Sequence, residues 1–293
     1  MKFNFDSHLY PYPSKRNVVY SQRGMVATGN PYAAQAGLQV MKDGGNAIDA
    51  AIAAAMTLTV TEPTSNGLGS DAFAIIWYEG KLYGINGSGP SPRGISPEAL
   101  RDRGFTKMPE QGVIPINVPG APGLWAELHR KMGRLPFQET AQPAVDLAKN
   151  GYVLQPETAN GWGDAFQKYT GLRSALPELQ GWFDTFTFQG KAPLAGQLVK
   201  LPHHARTLEG IAATGARSFY EGDTAQKIAA YLASHRGYLT PADLKSYAPV
   251  WVEPIKTAFN GYEVFEMPPN GHGISVLMAL NTLTALEIGR AHV

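Results

Sequence analysis

The 293-residue sequence contains no cysteine. Disulfides, thiolate nucleophiles and Cys-ligated metals are therefore excluded. Charge imbalance is missing too: 25 basic and 24 acidic residues leave a net charge of +1. With no basic stripe along the chain, nucleic acid is not the expected partner. No apolar run reaches the ~18 residues that would suggest a bilayer span, and residues 50–60 are too short and follow Asp49 directly. The N-terminal residues 1–21 have no apolar core segment of a secretory signal. These absences predict a soluble, cytoplasmic protein with no membrane partner. The seven histidines form no H-E-x-x-H pair, and the adjacent His203 and His204 would point apart. No metal or other cofactor is expected. No G-x-S-x-G pentapeptide is present, so a serine-triad elbow is not expected either.

The sequence does have a dense central stretch over residues 44–92, around which the rest is arranged. An Ala-packed segment runs into a glycine loop at Asn66, Gly67, Gly69, Ser70 and Asp71. Two apolar runs follow, and a second loop, Asn86-Gly87-Ser88-Gly89, closes it. The pattern predicts a buried helix, a loop, a strand hairpin over 73–78 and 82–85, and another loop. Two such loops side by side on a rigid scaffold make a small-molecule site plausible. Packing alone is the competing explanation for the glycines.

Before that stretch, residues 1–22 read as an extended arm and 24–28 as a first short strand. Asn30-Pro31 then marks a helix start, with Asn30 as cap. Gly44-Gly45 ends that helix and Asn46 caps the next, through about Val60. Further on, helices are predicted over 96–104, 124–132, 137–150, 208–213, 224–234, 241–246 and 274–286. Residues 161–190, mixing aromatics with Gly and Pro, read as irregular. Strands at 255–259 and 262–265 flank Asn260-Gly261, a strong hairpin signal. Mixed strands and helices make the class α+β or α/β.

The loop at Gly67 formally matches the dinucleotide fingerprint G-x-G-x-x-A. That fingerprint needs a strand before it and a helix after; here the order is reversed, so the nucleotide reading is rejected. Ser88 could be a nucleophile, but no strand-to-helix elbow follows it, and a ligand- or backbone-bonding loop serine is preferred. Asp71 could orient a ligand amine or cap a turn.

Several segments together resemble the gamma-glutamyltranspeptidase family. They are residues 24–27, GGNAIDAAIAAA, Glu62-Pro63, the loop over 67–73 and VPGAPGLWAELHRKMGRLPF. PAVDLAKNGYVL, ARSFYEGDTAQKIA, LTPADLKSYAPVWVEPI and YEVFEMPPNGHGI continue the family order. They cover nearly everything from Gly24 to about Leu286. The resemblance implies an α+β N-terminal-nucleophile hydrolase with an αββα sandwich, incomplete here because the small subunit is absent. It implies a precursor that cleaves itself before a Thr. That Thr attacks the acyl carbonyl with its own α-amine as base, and backbone donors hold the oxyanion. Water or an amine then takes the acyl group.

Two departures qualify the resemblance. The nucleophilic Thr is expected beyond the chain end, so no catalytic residue is assigned and the fragment alone is expected to be inactive. Where the family has an Arg that clamps the substrate α-carboxylate, this sequence has Ser88. Substrate binding is therefore assigned to Asn86, Gly87 and Ser88, with Arg93 as a replacement clamp. The loop of Asn66, Gly67, Gly69, Ser70 and Asp71 is placed nearby. These variants resemble the acylase-like branch of the family, and the expected partners are a γ-glutamyl or related amide substrate and a self-derived small subunit. The alternatives are a glutaryl or cephalosporin-type acylase without real transferase activity, or a non-catalytic ligand-binding truncation. The organisation expected is an arm over 1–23, a partial large subunit over 24–287 and a non-native tail over 288–293. The tail resembles an in-frame translation of a sequencing adapter; a genomic stop codon after Val293 would rule that out.

Overall fold

The computed structural model describes residues 19–286. Of the expected arm only residues 19–23 fall within that range, and they form no helix or strand. The expected tail lies outside the described residues.

Helix α1 (Pro31–Lys42) starts where the sequence places it: the Asn30 side chain accepts from the Tyr32 amide at 3.0 Å. Helix α2 (Ala47–Thr61) opens with a reciprocal cap. Asn46 accepts from the Ile48 and Asp49 amides, and the Asp49 carboxylate accepts from Asn46 N. Asp49 is fully buried and also accepts from the amides of Arg134 and Leu135. One carboxylate thus ties the start of α2 to a segment far along the chain.

Strands β1 (Ala72–Tyr78) and β2 (Lys81–Gly87) follow, turning through Glu79 (φ 50°) and Gly80 (φ 76°). Then come α3 (Pro97–Arg101), α4 (Ala121–Met132), α5 (Phe137–Asn150), β3 (Tyr152–Val153), α6 (Pro156–Leu172) and α7 (Gln180–Phe186). The chain continues through β4 (Leu198–Val199), α8 (Pro202–Thr214), α9 (Arg217–Tyr220), α10 (Asp223–Ser234) and α11 (Pro241–Lys245). It ends in β5 (Val250–Val252), β6 (Ile255–Phe259), β7 (Tyr262–Glu266) and α12 (Gly273–Ala285).

The chain divides into two compact units. The larger holds α1 to α11 and the short antiparallel pair β3–β4, in register Tyr152↔Val199. Within it α2 packs against α1, α4 and α5, and α5 packs against α8. The smaller unit carries the three-stranded sheet β1-β2-β5 and the β6–β7 hairpin. Strands β2 and β5 are antiparallel, with Ile85 opposite Trp251. The hairpin turns at Asn260 and Gly261, both at positive φ, and α12 lies against both of its strands. Among the described residues no helix is long and apolar enough to cross a membrane.

Three local expectations fail. Residues 24–28 form no strand and pair with no strand among the described residues. Residues 161–190 are mostly helical, in α6, a 3-10 turn at Pro177–Leu179 and α7. Trp162, Phe166 and Tyr169 recur at helical spacing and meet Trp182, Phe183 and Phe186 of α7 edge-on. That packing offsets the glycines of α6, which each cost about 1 kcal/mol relative to Ala. Helix α8 begins at Pro202, six residues earlier than the apolar pattern suggests.

Candidate functional site

The first loop leaves α2 through a turn in which Ser65 and Asn66 both donate to the Glu62 carbonyl. The Asn66 amide group reaches the Glu62 carboxylate at 3.3 Å. A tight turn follows, with Ser70 N donating to Gly67 O at 3.1 Å. The Ser70 carbonyl then accepts two amides, from Gly120 at 3.0 Å and Ala121 at 2.9 Å. These are donors at the start of α4, where a helix leaves amides unsatisfied. The loop over 66–71 is therefore locked to the N-terminus of α4.

The second loop comes up against the same place. Val118 N donates to Pro90 O at 3.0 Å. A side chain at Gly120 would put its first carbon 1.7 Å from Gly87 O. At Gly89 (φ +71°) it would lie 1.8 Å from Val118 O. Two main-chain segments, 87–89 and 118–120, touch here with no side chain between them. With residue 70 hydrogen-bonded to the second, the result is a cradle of backbone that side chains can decorate only at its margins.

The expected site residues distribute around this cradle unevenly. Gly67, Ser70, Gly87 and Ser88 belong to it, with Ser88 half-buried. Gly69 faces open space and Asp71 is exposed just before β1. Arg93 lies in the same unit with its side chain exposed, and its amide donates to the Asp243 carboxylate at 3.2 Å. Burial opposes the charge on Asp243. Hydrogen bonds from Thr240 and the Arg93 amide, with the Arg93 charge, outweigh it and hold this carboxyl below its ordinary value. Arg93 is thus tied to the start of α11. Asn86 falls in the smaller unit, where its side chain donates to Asn270 at 2.8 Å.

The cradle offers a hydroxyl at Ser88, a carboxylate at Asp71 and shaped backbone. Thr57, Thr59 and Thr61 lie buried within α2; an internal Thr has no free α-amine to serve as its base. Thr59 and Thr61 donate to helix carbonyls, and the Thr57 hydroxyl has no hydrogen-bond partner among the described residues. No cluster of three or more metal-ligating side chains occurs among the described residues. Sequence reasoning assigned no site role to the turn at 118–121. Its role depends on Ser70, about fifty residues away, and local pattern carries no trace of that.

The sequence profile described as gamma-glutamyltranspeptidase matches residues 33–293. The glutathione hydrolase-like YwrD proenzyme of Bacillus subtilis is 33% identical over 270 residues, 90% of this chain and 49% of that protein. The acylase ACY 1 proenzyme of Pseudomonas sp. strain SE83 is 33% identical over 282 residues, 91% of this chain and 49% of that one. The crystal structure of cephalosporin acylase from Bacillus halodurans superposes with a TM-score of 0.91 at 49% identity. That match covers 98% of this chain and 53% of the acylase. The chain spans about half the length of the curated relatives it matches.

Proposed function

This chain belongs to the gamma-glutamyltranspeptidase family, and from that premise we propose that it is the large-subunit part of a self-cleaving proenzyme. The complete enzyme moves a γ-glutamyl or related acyl group from an amide to water or to an amine. The α+β fold is that of the N-terminal-nucleophile hydrolases. In this reading residues 24–287 hold the substrate. A self-derived small subunit supplies the Thr nucleophile, whose α-amine takes the proton as the acyl-enzyme forms.

The observation that carries the reading is the uncovered apolar surface of the smaller unit. Phe73, Ile75 and Trp77 alternate along one face of β1 and are exposed, Trp77 at 71%. On α12, Ile274, Val276, Met278 and Leu283 are exposed as well, Met278 at 62%. A sheet apolar on both faces is built to be covered on both. A second subunit formed from the same precursor would supply that cover.

Ser88 stands where the family has the arginine that clamps the substrate carboxylate. A γ-glutamyl amide and a glutaryl amide both end in a carboxylate that a guanidinium would pair, and they differ in the α-amine that only the γ-glutamyl group carries. With Ser88 in place of an arginine, Arg93 is the nearest guanidinium in sequence to take that carboxylate, and a glutaryl or cephalosporin-type acylase stays the alternative. A cytoplasmic location belongs to the same reading and cell fractionation tests it.

The test uses the full-length precursor. We expect self-cleavage into two subunits, and turnover of a γ-glutamyl anilide or a glutaryl amide. The 293-residue chain alone is expected to turn over neither. Ser88→Arg should raise turnover of both carboxylate-bearing substrates by roughly tenfold to a hundredfold relative to a butyryl amide, which has no carboxylate, the effect of adding a bidentate charged pair. An uncut precursor that hydrolyses neither substrate refutes the reading. A well-folded 293-residue chain that binds an amino acid without turnover would establish the binding-module alternative.

A further inference from the structure

The turn that carries Ser70 is itself held from behind by two tyrosines. Tyr220, on α9, donates from its hydroxyl to the Pro119 carbonyl at 2.7 Å and accepts from the Gly123 amide at 2.9 Å. Tyr247, just past α11, donates to the Gly120 carbonyl at 3.0 Å. The two rings lie 5.1 Å apart. Tyr220 is buried and Tyr247 half-buried. Both line a cleft of about 710 Å³ with Gly123, Arg217 and Lys245.

We propose that Tyr220 and Tyr247 are positioning residues for the loop over 66–71 and the backbone cradle it forms beside Ser88. Three phenol contacts fix residues 119, 120 and 123. Gly120 and Ala121 in turn fix the Ser70 carbonyl through their amides. The register of the loop is thus set by side chains that do not belong to it. Burial raises the pKa of both phenols, so both hydroxyls keep their protons and remain donors throughout the neutral range. Replacing either by Phe preserves the ring packing and removes only the hydroxyl contacts.

This inference rests on the proposed acyl-transfer role, and two readouts separate its failure from the failure of that role. In the full-length precursor, Tyr220→Phe should speed amide hydrogen exchange in a peptide covering residues 118–124 by about tenfold, the worth of a buried hydrogen bond. Exchange in α2 should not change. With the acyl substrate, KM should rise about fivefold or more while kcat moves less than twofold. Tyr247→Phe, with one contact, should show the same pattern at smaller amplitude and covers the case in which Tyr220→Phe does not fold. Uniform acceleration of exchange in α2 and 118–124 together, or a KM unchanged in both variants, overturns the proposal. If the unmodified precursor turns over no amide, the acyl-transfer reading fails and local exchange at 118–124 still decides whether the tyrosines hold the loop.

Discussion

Helices α2 and α12 are close in composition and opposite in setting. Both are apolar on all sides, and Asp49 is the one charged residue in either. Eleven residues of α2 are buried, whereas in α12 only Leu277 is. A helix without a polar face belongs inside something. In the larger unit that requirement is met by α1, α4 and α5. In the smaller unit α12 has the β6–β7 hairpin on one side and leaves apolar side chains open. Lack of amphipathicity therefore reports that a helix is meant to be covered, but not by which part of the final assembly.

The comparison is sharpest under truncation. Ile52, 1% exposed in α2, should cost about 3 kcal/mol when changed to Ala, from lost burial and the cavity left behind. Met278→Ala in α12 should cost less than about 0.5 kcal/mol, as an exposed position does. Urea denaturation of the two variants measures both, and equal losses would break the distinction.

Acid offers a second way to press it. His204 of α8 packs on the Phe186 ring. Burial first, and the neighbouring His203 second, lower its pKa from 6.5 to about 4. Between those values the unfolded chain binds a proton that the folded chain refuses. Stability should therefore fall as pH drops from about 6.5 to about 4 and level off below. His204→Phe should remove that slope. The smaller drop that remains comes from Asp243, whose contribution is complete above the ordinary carboxylate range and fades as pH falls through its depressed pKa. A slope unchanged by His204→Phe would show that the larger unit is less tightly closed around α8 than the packing indicates.

The mildest test leaves the interior alone. Trp77→Lys with Met278→Lys should reduce self-association of the 293-residue chain and its binding of an apolar dye, with the unfolding midpoint nearly unchanged. Dye binding that stays the same would place the open apolar surface elsewhere.

Much of this architecture was readable where the signal is local. Asn30 and Asn46 announce helix starts because their short polar side chains reach amides two or three residues on. Asn260-Gly261 announces a hairpin because both positions need positive φ. Residues 24–28 have strand composition, yet a strand exists only through its partner, and composition does not supply one. In 161–190 the glycines suggested irregularity, while the stripe of Trp162, Phe166 and Tyr169 was the truer guide. At the site, the loops were visible as glycine-rich segments. The clasp of Ser70 by Gly120 and Ala121, and the phenols behind it, join residues 50 to 127 positions apart, where no periodicity can point.

The glycine contacts at 87–89 and 118–120 also limit where this protein can change. Every single substitution of Gly89 or Gly120 adds atoms to a space already filled by a carbonyl group. Such variants are closed to gradual divergence and to random mutagenesis alike. Under the proposed acyl-transfer function, new preference has to come through the few neighbouring positions that carry side chains, above all Ser88 and Asp71, on a frame that stays fixed. A library aimed at altered selectivity can therefore be small, and the glycines are best left out of it.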